Sequence, residues 1–212
     1  AEPLVNMNLR AITNYFYPYR ILDIGANVGQ FHKECKATFN DSYIFSIEAS
    51  AECESSLQQI TENYYIGLLA KDNTDYTFYK RKNDPTSTGN SIYKELTHFF
   101  SDDQLDIIKT TGIKLDDLFE SDSEFDLIKI DTQGSELDII EGGLNLCNKA
   151  KGILLEVSLT QYNENAPLYD EVIDYMTSHG FIKTEILDEA RNHGSYQQDI
   201  LFINEKLINR GN

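Results

Sequence analysis

Short runs of β-branched and aliphatic residues recur along the chain at residues 20–24, 43–47, 64–68, 126–130 and 152–157, with longer amphipathic stretches between most of them. Several are apolar on consecutive positions, as in Ile21-Leu22-Asp23-Ile24 and Leu127-Ile128-Lys129-Ile130. Strands buried on both faces have this pattern. Strands alternating with helices predict a mostly parallel α/β sheet joined by crossover helices. Helical spacing falls at residues 4–17, 28–38, 51–61, 135–146 and 168–179, the last with Leu168, Val172, Ile173 and Met176 along one face. Ser50 and Ser135 stand where N-caps are expected, and Gly180 where a helix would end on a left-handed residue.

The C-terminal third breaks the alternation. Residues 181–187 and 199–203 read as two strands separated only by a polar loop, 188–198, which predicts an antiparallel hairpin. Nicotinamide-binding domains usually end all-parallel. Residues 75–118 are irregular, with strand-like pieces at 76–80 and 106–113 around a polar loop at 83–91, and are expected to form an insertion beside the active site. At 212 residues, the whole of 1–212 is expected to be one domain.

Charge narrows the partners. Eighteen basic against 35 acidic residues give a net charge of -17, which opposes approach to nucleic acid or an anionic lipid surface. The acidic residues are scattered, as on a solvated surface. No apolar stretch has transmembrane length and no basic segment with an apolar run opens the chain, so a cytoplasmic protein is expected. Cys35, Cys53 and Cys147 are widely spaced and read as reduced thiols, and the four histidines form no ligand pattern, so no metal site is expected.

The chemistry concentrates in Ile21-Leu22-Asp23-Ile24-Gly25-Ala26-Asn27-Val28-Gly29-Gln30, a strand running through a glycine-bearing turn into a helix. Glycine belongs where a backbone turns tightly or a ligand comes close. A dinucleotide fingerprint would have glycine at the Asn27 position, and Asp23 would repel a pyrophosphate while suiting the cationic end of S-adenosylmethionine (SAM). Glu48 ends the second strand, where a carboxylate accepts from both ribose hydroxyls of a nucleoside; alone it would read as a surface carboxylate. Asp131 follows the fourth strand and Glu156 ends the fifth, both at the ligand-facing edge. Asp131 reads either as a contact to cofactor and acceptor or as a helix cap, and Glu156 either as a base or as a loop anchor. His193 is an outside candidate for a base. Glu136 suits the helix dipole with or without function. The 83–91 loop reads equally as a substrate contact or a solvent loop.

Taken together, these segments resemble the FkbM-type methyltransferases, over most of the chain. The matching pieces are Asp23 to Gln30, Ile47-Glu48-Ala49, Lys114-Leu115-Asp116-Asp117-Leu118, Leu154-Leu155-Glu156-Val157 and Leu127-Ile128-Lys129-Ile130-Asp131-Thr132-Gln133-Gly134-Ser135-Glu136, which is similar to the family's IKIDVEGxE signature. Gln133 replaces the family's second acidic residue and Ser50 its usual proline. The resemblance implies a Rossmann-like class I methyltransferase fold closed by the antiparallel hairpin. It also implies SAM held by Asp23, Gly25, Ala26, Asn27, Gly29, Glu48, Ala49 and Asp131, with Asp131, Glu156 and His193 as candidates for proton removal. O-methylation of a hydroxylated small molecule or glycan follows from the resemblance alone. A SAM-binding module without turnover and an NAD-dependent oxidoreductase are the competing readings.

Overall fold

The computed structural model describes residues 7–192 and 195–208. Its strands are β1 (Arg20–Ile24), β2 (Tyr43–Glu48), β3 (Tyr64–Ile66), β4 (Asp75–Arg81), β5 (Leu105–Thr111), β6 (Leu127–Ile130), β7 (Gly152–Ser158), β8 (Phe181–Asn192) and β9 (Ser195–Asn204). The α-helices are α1 (Gln30–Thr38), α2 (Glu54–Leu57), α3 (Leu115–Leu118), α4 (Glu136–Gly142), α5 (Leu144–Cys147), α6 (Tyr169–Ser178) and α7 (Glu205–Ile208). Seven strands form one sheet in the order β3-β2-β1-β6-β7-β9-β8, and β4 with β5 forms a separate antiparallel ribbon within residues 75–118. The pairs from β3 through β7 are parallel, and β9 runs antiparallel to both β7 and β8.

Both faces of the sheet are covered, which explains the unbroken apolar runs. Leu22, Ile128, Ile153 and Phe202 face a core shared with α4, α5 and α6. Ile21, Leu127, Leu154 and Leu201 face α1 and the N-terminal segment. Toward the carboxyl ends of the strands the α1 face turns polar. Strand register puts Asp23 beside Lys129, and Glu156 opposite Asp199. Ile130 opposite Leu155 brings the next residues, Asp131 and Glu156, to the same level.

Several expected boundaries change for identifiable reasons. The helix expected at 4–17 is a 3-10 helix, Leu9–Asn14, in the described part, because buried Leu9 and Ile12 are spaced three apart and fit the tighter turn. The helix expected at 28–38 starts at Gln30, since Asn27 (φ +49°) and Gly29 (φ +85°) are left-handed. The 51–61 segment divides into a 3-10 turn, Ala51–Cys53, and α2, then winds tightly through the Ile60 N–H to Leu57 carbonyl bond. The helix expected at 135–146 divides at Gly142 and Gly143, where the chain passes so near Ala70 that a Cβ on Gly142 would stand 2.3 Å from its carbonyl oxygen. Ser50 and Ser135 occupy N-cap positions, but neither side chain bonds a helix amide. Gly180, with φ +84°, ends α6 as expected.

The largest correction is in the hairpin. The segment read as a polar loop, 188–198, is mostly strand. Its polar alternation hides that, because Asp188 and Asp199 face a crevice instead of an apolar core.

Candidate active site

The turn after β1 is built against β2. The N–H groups of Gly25 and Ala26 both donate to the Ile47 carbonyl, at 2.9 and 3.0 Å. Glu48 then ties the two strand ends together, its Oε2 accepting from the Asn27 N–H at 2.8 Å and its Oε1 from the Ser50 N–H at 2.7 Å. Burial pushes the Glu48 carboxyl above its usual range, and these backbone donors work against that shift. The Ser50 hydroxyl and the Ala49 N–H add to these donors, so Glu48 stands on the cavity wall within a shell of donors from its own turn.

Beside this turn lies a cavity of about 300 Å³, at the lower end of the range for small-molecule sites. Ile47, Leu68, Leu69 and Phe78 line it near Glu48, while Glu34, Lys129, Asp131, Asp188 and Asp199 line it elsewhere. Its roof comes from the 83–91 loop and the residue after it, with Ser87, Thr88, Asn90, Ser91 and Ile92 on the wall. That loop is tied down on both sides. The Asn27 side-chain amide donates to the Thr86 carbonyl at 2.8 Å, and the Ser91 hydroxyl meets the carbonyls of Thr132 and Gln133 at 2.9 and 3.0 Å. It is therefore a wall of the cavity, with the solvent-loop reading set aside.

Asp131 and Asp199 line the cavity, and a hydrogen-bonded network joins Asp131 to Glu156 behind the wall. Asp131 Oδ2 accepts from Lys129 Nζ at 3.0 Å, and Oδ1 from the Gln133 amide at 3.2 Å. Gln133, left-handed at φ +56°, also donates to Glu156 Oε2, which accepts a second bond from Gln197 at 2.8 Å. Glu156 is raised well above the usual carboxyl range by burial first and by the charges of Asp131 and Asp199 next. Asp199 is pushed up to about 7 by burial and then by Asp131. The Asp131 oxygens bond Lys129 and Gln133 and not an amide of α4, while Glu136 ties down the turn before α4, accepting from the N–H groups of Thr132 at 2.9 Å and Gly134 at 3.1 Å. Among the described residues, no cluster of three or more His, Cys, Asp or Glu could hold a metal ion.

Residues 23–183 match the model of the methyltransferase FkbM domain. The chain belongs to the FkbM methyltransferase family. Its fold is shared by the FkbM methyltransferase of Methylobacillus flagellatus KT, 13% identical with a TM-score of 0.53, the match covering 87% of this chain and 43% of that one. This chain therefore spans less than half the length of that FkbM protein. The magnesium protoporphyrin IX methyltransferase ChlM of Synechocystis PCC 6803, solved with SAM bound, is 9% identical with a TM-score of 0.53, over 92% of this chain and 74% of that one. A structure of ChlM with SAH bound gives 10% identity and a TM-score of 0.51, over 93% and 78%. No curated protein matches the chain. These likenesses establish the Rossmann-like class I methyltransferase fold, mostly parallel and closed by the C-terminal antiparallel hairpin.

In this FkbM domain the expected site residues divide. Gly25, Ala26, Asn27, Glu48, Ala49 and Asp131 line the cavity. Asp23, Gly29 and Glu156 are not on its wall. Gly29 has φ +85°, and a Cβ on it would also lie 2.1 Å from Ile60 Cδ1, so the left-handed backbone of the turn is what demands glycine there, with packing after α2 adding to it. Asp23 is fully buried below the turn, with Lys129 Nζ at 3.9 Å. The expected reason against a dinucleotide, a carboxylate facing the pyrophosphate, therefore fails as geometry. What faces the cavity at the second glycine position is the Asn27 side chain. His193 lies outside the described residues. Lys129, Gln133 and Asp199 were missed, although a lysine inside the apolar run 127–130 was a visible signal that something charged lay beside it.

Proposed function

We propose that this FkbM domain binds SAM in the cavity and transfers its methyl group to the oxygen of a hydroxylated small molecule or glycan. One observation carries the reading: a single cavity runs from Glu48 past the Gly25-Ala26-Asn27 turn to Asp131. The residues present fit the cofactor. Ile47, Leu68, Leu69 and Phe78 offer an apolar slot for an adenine. Glu48, oriented by backbone amides on the cavity wall, is the carboxylate acceptor for a ribose diol. The carboxylates of Glu34, Asp131, Asp188 and Asp199 outnumber Lys129, which is the one basic side chain on the wall among the described residues and suits a cationic ligand.

Bound there, SAM supplies a methyl group on a sulfonium for in-line displacement. The chain's own contribution is alignment and proton handling. Asp131, fixed through both oxygens, is the carboxylate placed to accept a hydroxyl proton. Glu156 stands behind Gln133 and supports the orientation of that amide. No helix among the described residues is long and apolar enough to cross a membrane.

Calorimetric titration with SAM and NAD, followed by assay of S-adenosylhomocysteine with hydroxylated acceptors, tests the reading. Saturable SAM binding with product formation is expected. Binding without turnover on any acceptor would favour the SAM-binding module, and saturable NAD binding would favour the oxidoreductase.

A further inference from the structure

Asp23 is fully buried, and among the described residues neither of its carboxylate oxygens has a hydrogen-bond partner. An ionised carboxylate so placed needs a counter-charge. The charge is at hand: Lys129 Nζ lies 3.9 Å from Asp23 Oδ1 and 3.0 Å from Asp131 Oδ2, and it sits 5.2 Å over the ring of Phe31 on α1. Lys129 is itself only 5% exposed. Adjacent strands in register produce this row, Asp23 on β1 pairing directly with Lys129 on β6. Asp131 directly follows β6, and its carboxylate meets the Lys129 ammonium from the same strand end. Two members of the row, Lys129 and Asp131, line the cavity, while Asp23 does not.

We propose that Lys129 is a positioning residue that fixes the Asp131 carboxylate in the cavity, and that Asp23 acts on the reaction only through Lys129. This rests on the methyl-transfer reading for its catalytic part, whereas the coupling of Asp23 to Lys129 stands on geometry alone. Burial works against the lysine's charge, but the two carboxylates outweigh it and hold the ammonium form. Burial pushes the Asp23 carboxyl up to about 6, and the Lys129 charge works against that shift. The geometry orders the row, with the Asp23 carboxyl below, the Lys129 ammonium between, and the Asp131 carboxylate on the cavity wall. The expectation that Asp23 contacts the cationic end of SAM is replaced by a role one layer deeper.

The test is a double-mutant cycle of Asp23→Asn and Lys129→Met, read first as urea stability of the cofactor-free protein. Lys129→Met strands the buried Asp23, and Asp23→Asn takes from Lys129 one of its two carboxylates while leaving Asp131, so the double variant, in which Asp23 no longer needs a counter-charge, should be less destabilised than the sum of the two. Additive losses would overturn the coupling whether or not the enzyme turns over. In the enzyme, Lys129→Met should lower kcat by about tenfold or more while leaving SAM affinity within about threefold, the pattern of a lost transition-state interaction. Adding Asp23→Asn to Lys129→Met should change kcat no further. If Asp23→Asn alone weakened SAM binding tenfold with kcat intact, Asp23 would be a cofactor contact and the proposal would fail. A wild-type protein that yields no S-adenosylhomocysteine, with coupled stabilities, would defeat the methyl-transfer reading and leave the Asp23–Lys129 pairing standing.

Discussion

A Cβ placed on Gly25 would stand 1.8 Å from the carbonyl oxygen of Asp131, so the turn after β1 and the end of β6 meet backbone to backbone. Gly25 also has φ +80°, a conformation that costs any residue with a Cβ. Gly25→Ala should therefore damage folding before it damages ligand binding. With strain and overpacking at one site, a loss of about 2–5 kcal/mol is expected in urea unfolding. If the glycine served only to admit a ligand, the variant would unfold at the wild-type midpoint and lose only SAM affinity.

The parallel core was legible because β1, β6 and β7 are covered on both sides and so carry unbroken apolar runs. The hairpin was legible in its inner halves only. Beyond Leu187 and before Asp199 its strands line a polar cavity or meet solvent, and no apolar alternation marks them. At the site, the turn residues and Glu48 could be placed because strand, glycine turn and helix follow one another in sequence. Lys129 and its two carboxylates could not, since their meeting depends on strand register across more than 100 residues. Gln133 looked like a departure from an acidic signature. In the structure its amide donates to two carboxylates, which a second acid there could not do.

Glu48 supports both the β1 turn and, on the proposed reading, the nucleoside. Glu48→Ala removes an acceptor for two backbone N–H groups as well as the ribose contact. SAM binding should weaken by about 1–3 kcal/mol, the scale of lost charge-assisted hydrogen bonds. Calorimetry giving an unchanged affinity would remove Glu48 from the cofactor site.

Glu136 offers a pH test of the loop that carries Asp131. Burial pushes its carboxyl from 4.5 up to about 7, with backbone N–H donors opposing. A carboxyl raised in the folded state contributes stability that is fully present below pH 4.5 and lost as pH rises through about 7. Glu136→Gln cannot ionise, so its stability relative to wild type should improve between pH 5 and pH 8 by about 1–3 kcal/mol. Thermal unfolding at both pH values checks the sign. A variant that falls further behind as pH rises would show that the donors at Thr132 and Gly134 outweigh burial.

The proposed chemistry depends most on Asp131, the residue through which β6 meets both Lys129 and the cavity. Its carboxylate bonds Lys129 and Gln133 and no amide of α4, so changing it should leave α4 in place. Asp131→Asn keeps the side-chain shape and the Oδ acceptor while removing the charge paired with Lys129 at 3.0 Å. If Asp131 takes the acceptor's proton, turnover should fall by about 100-fold or more, with SAM affinity within a few-fold and a normal melting curve. Asp199 also lines the cavity, and its carboxyl, raised to about 7, suits proton exchange near neutrality. Asp199→Asn is thus the necessary comparison. Should that variant lose turnover while Asp131→Asn retains it, the base would lie on β9, and Asp131 would be left as the partner that keeps Lys129 in place.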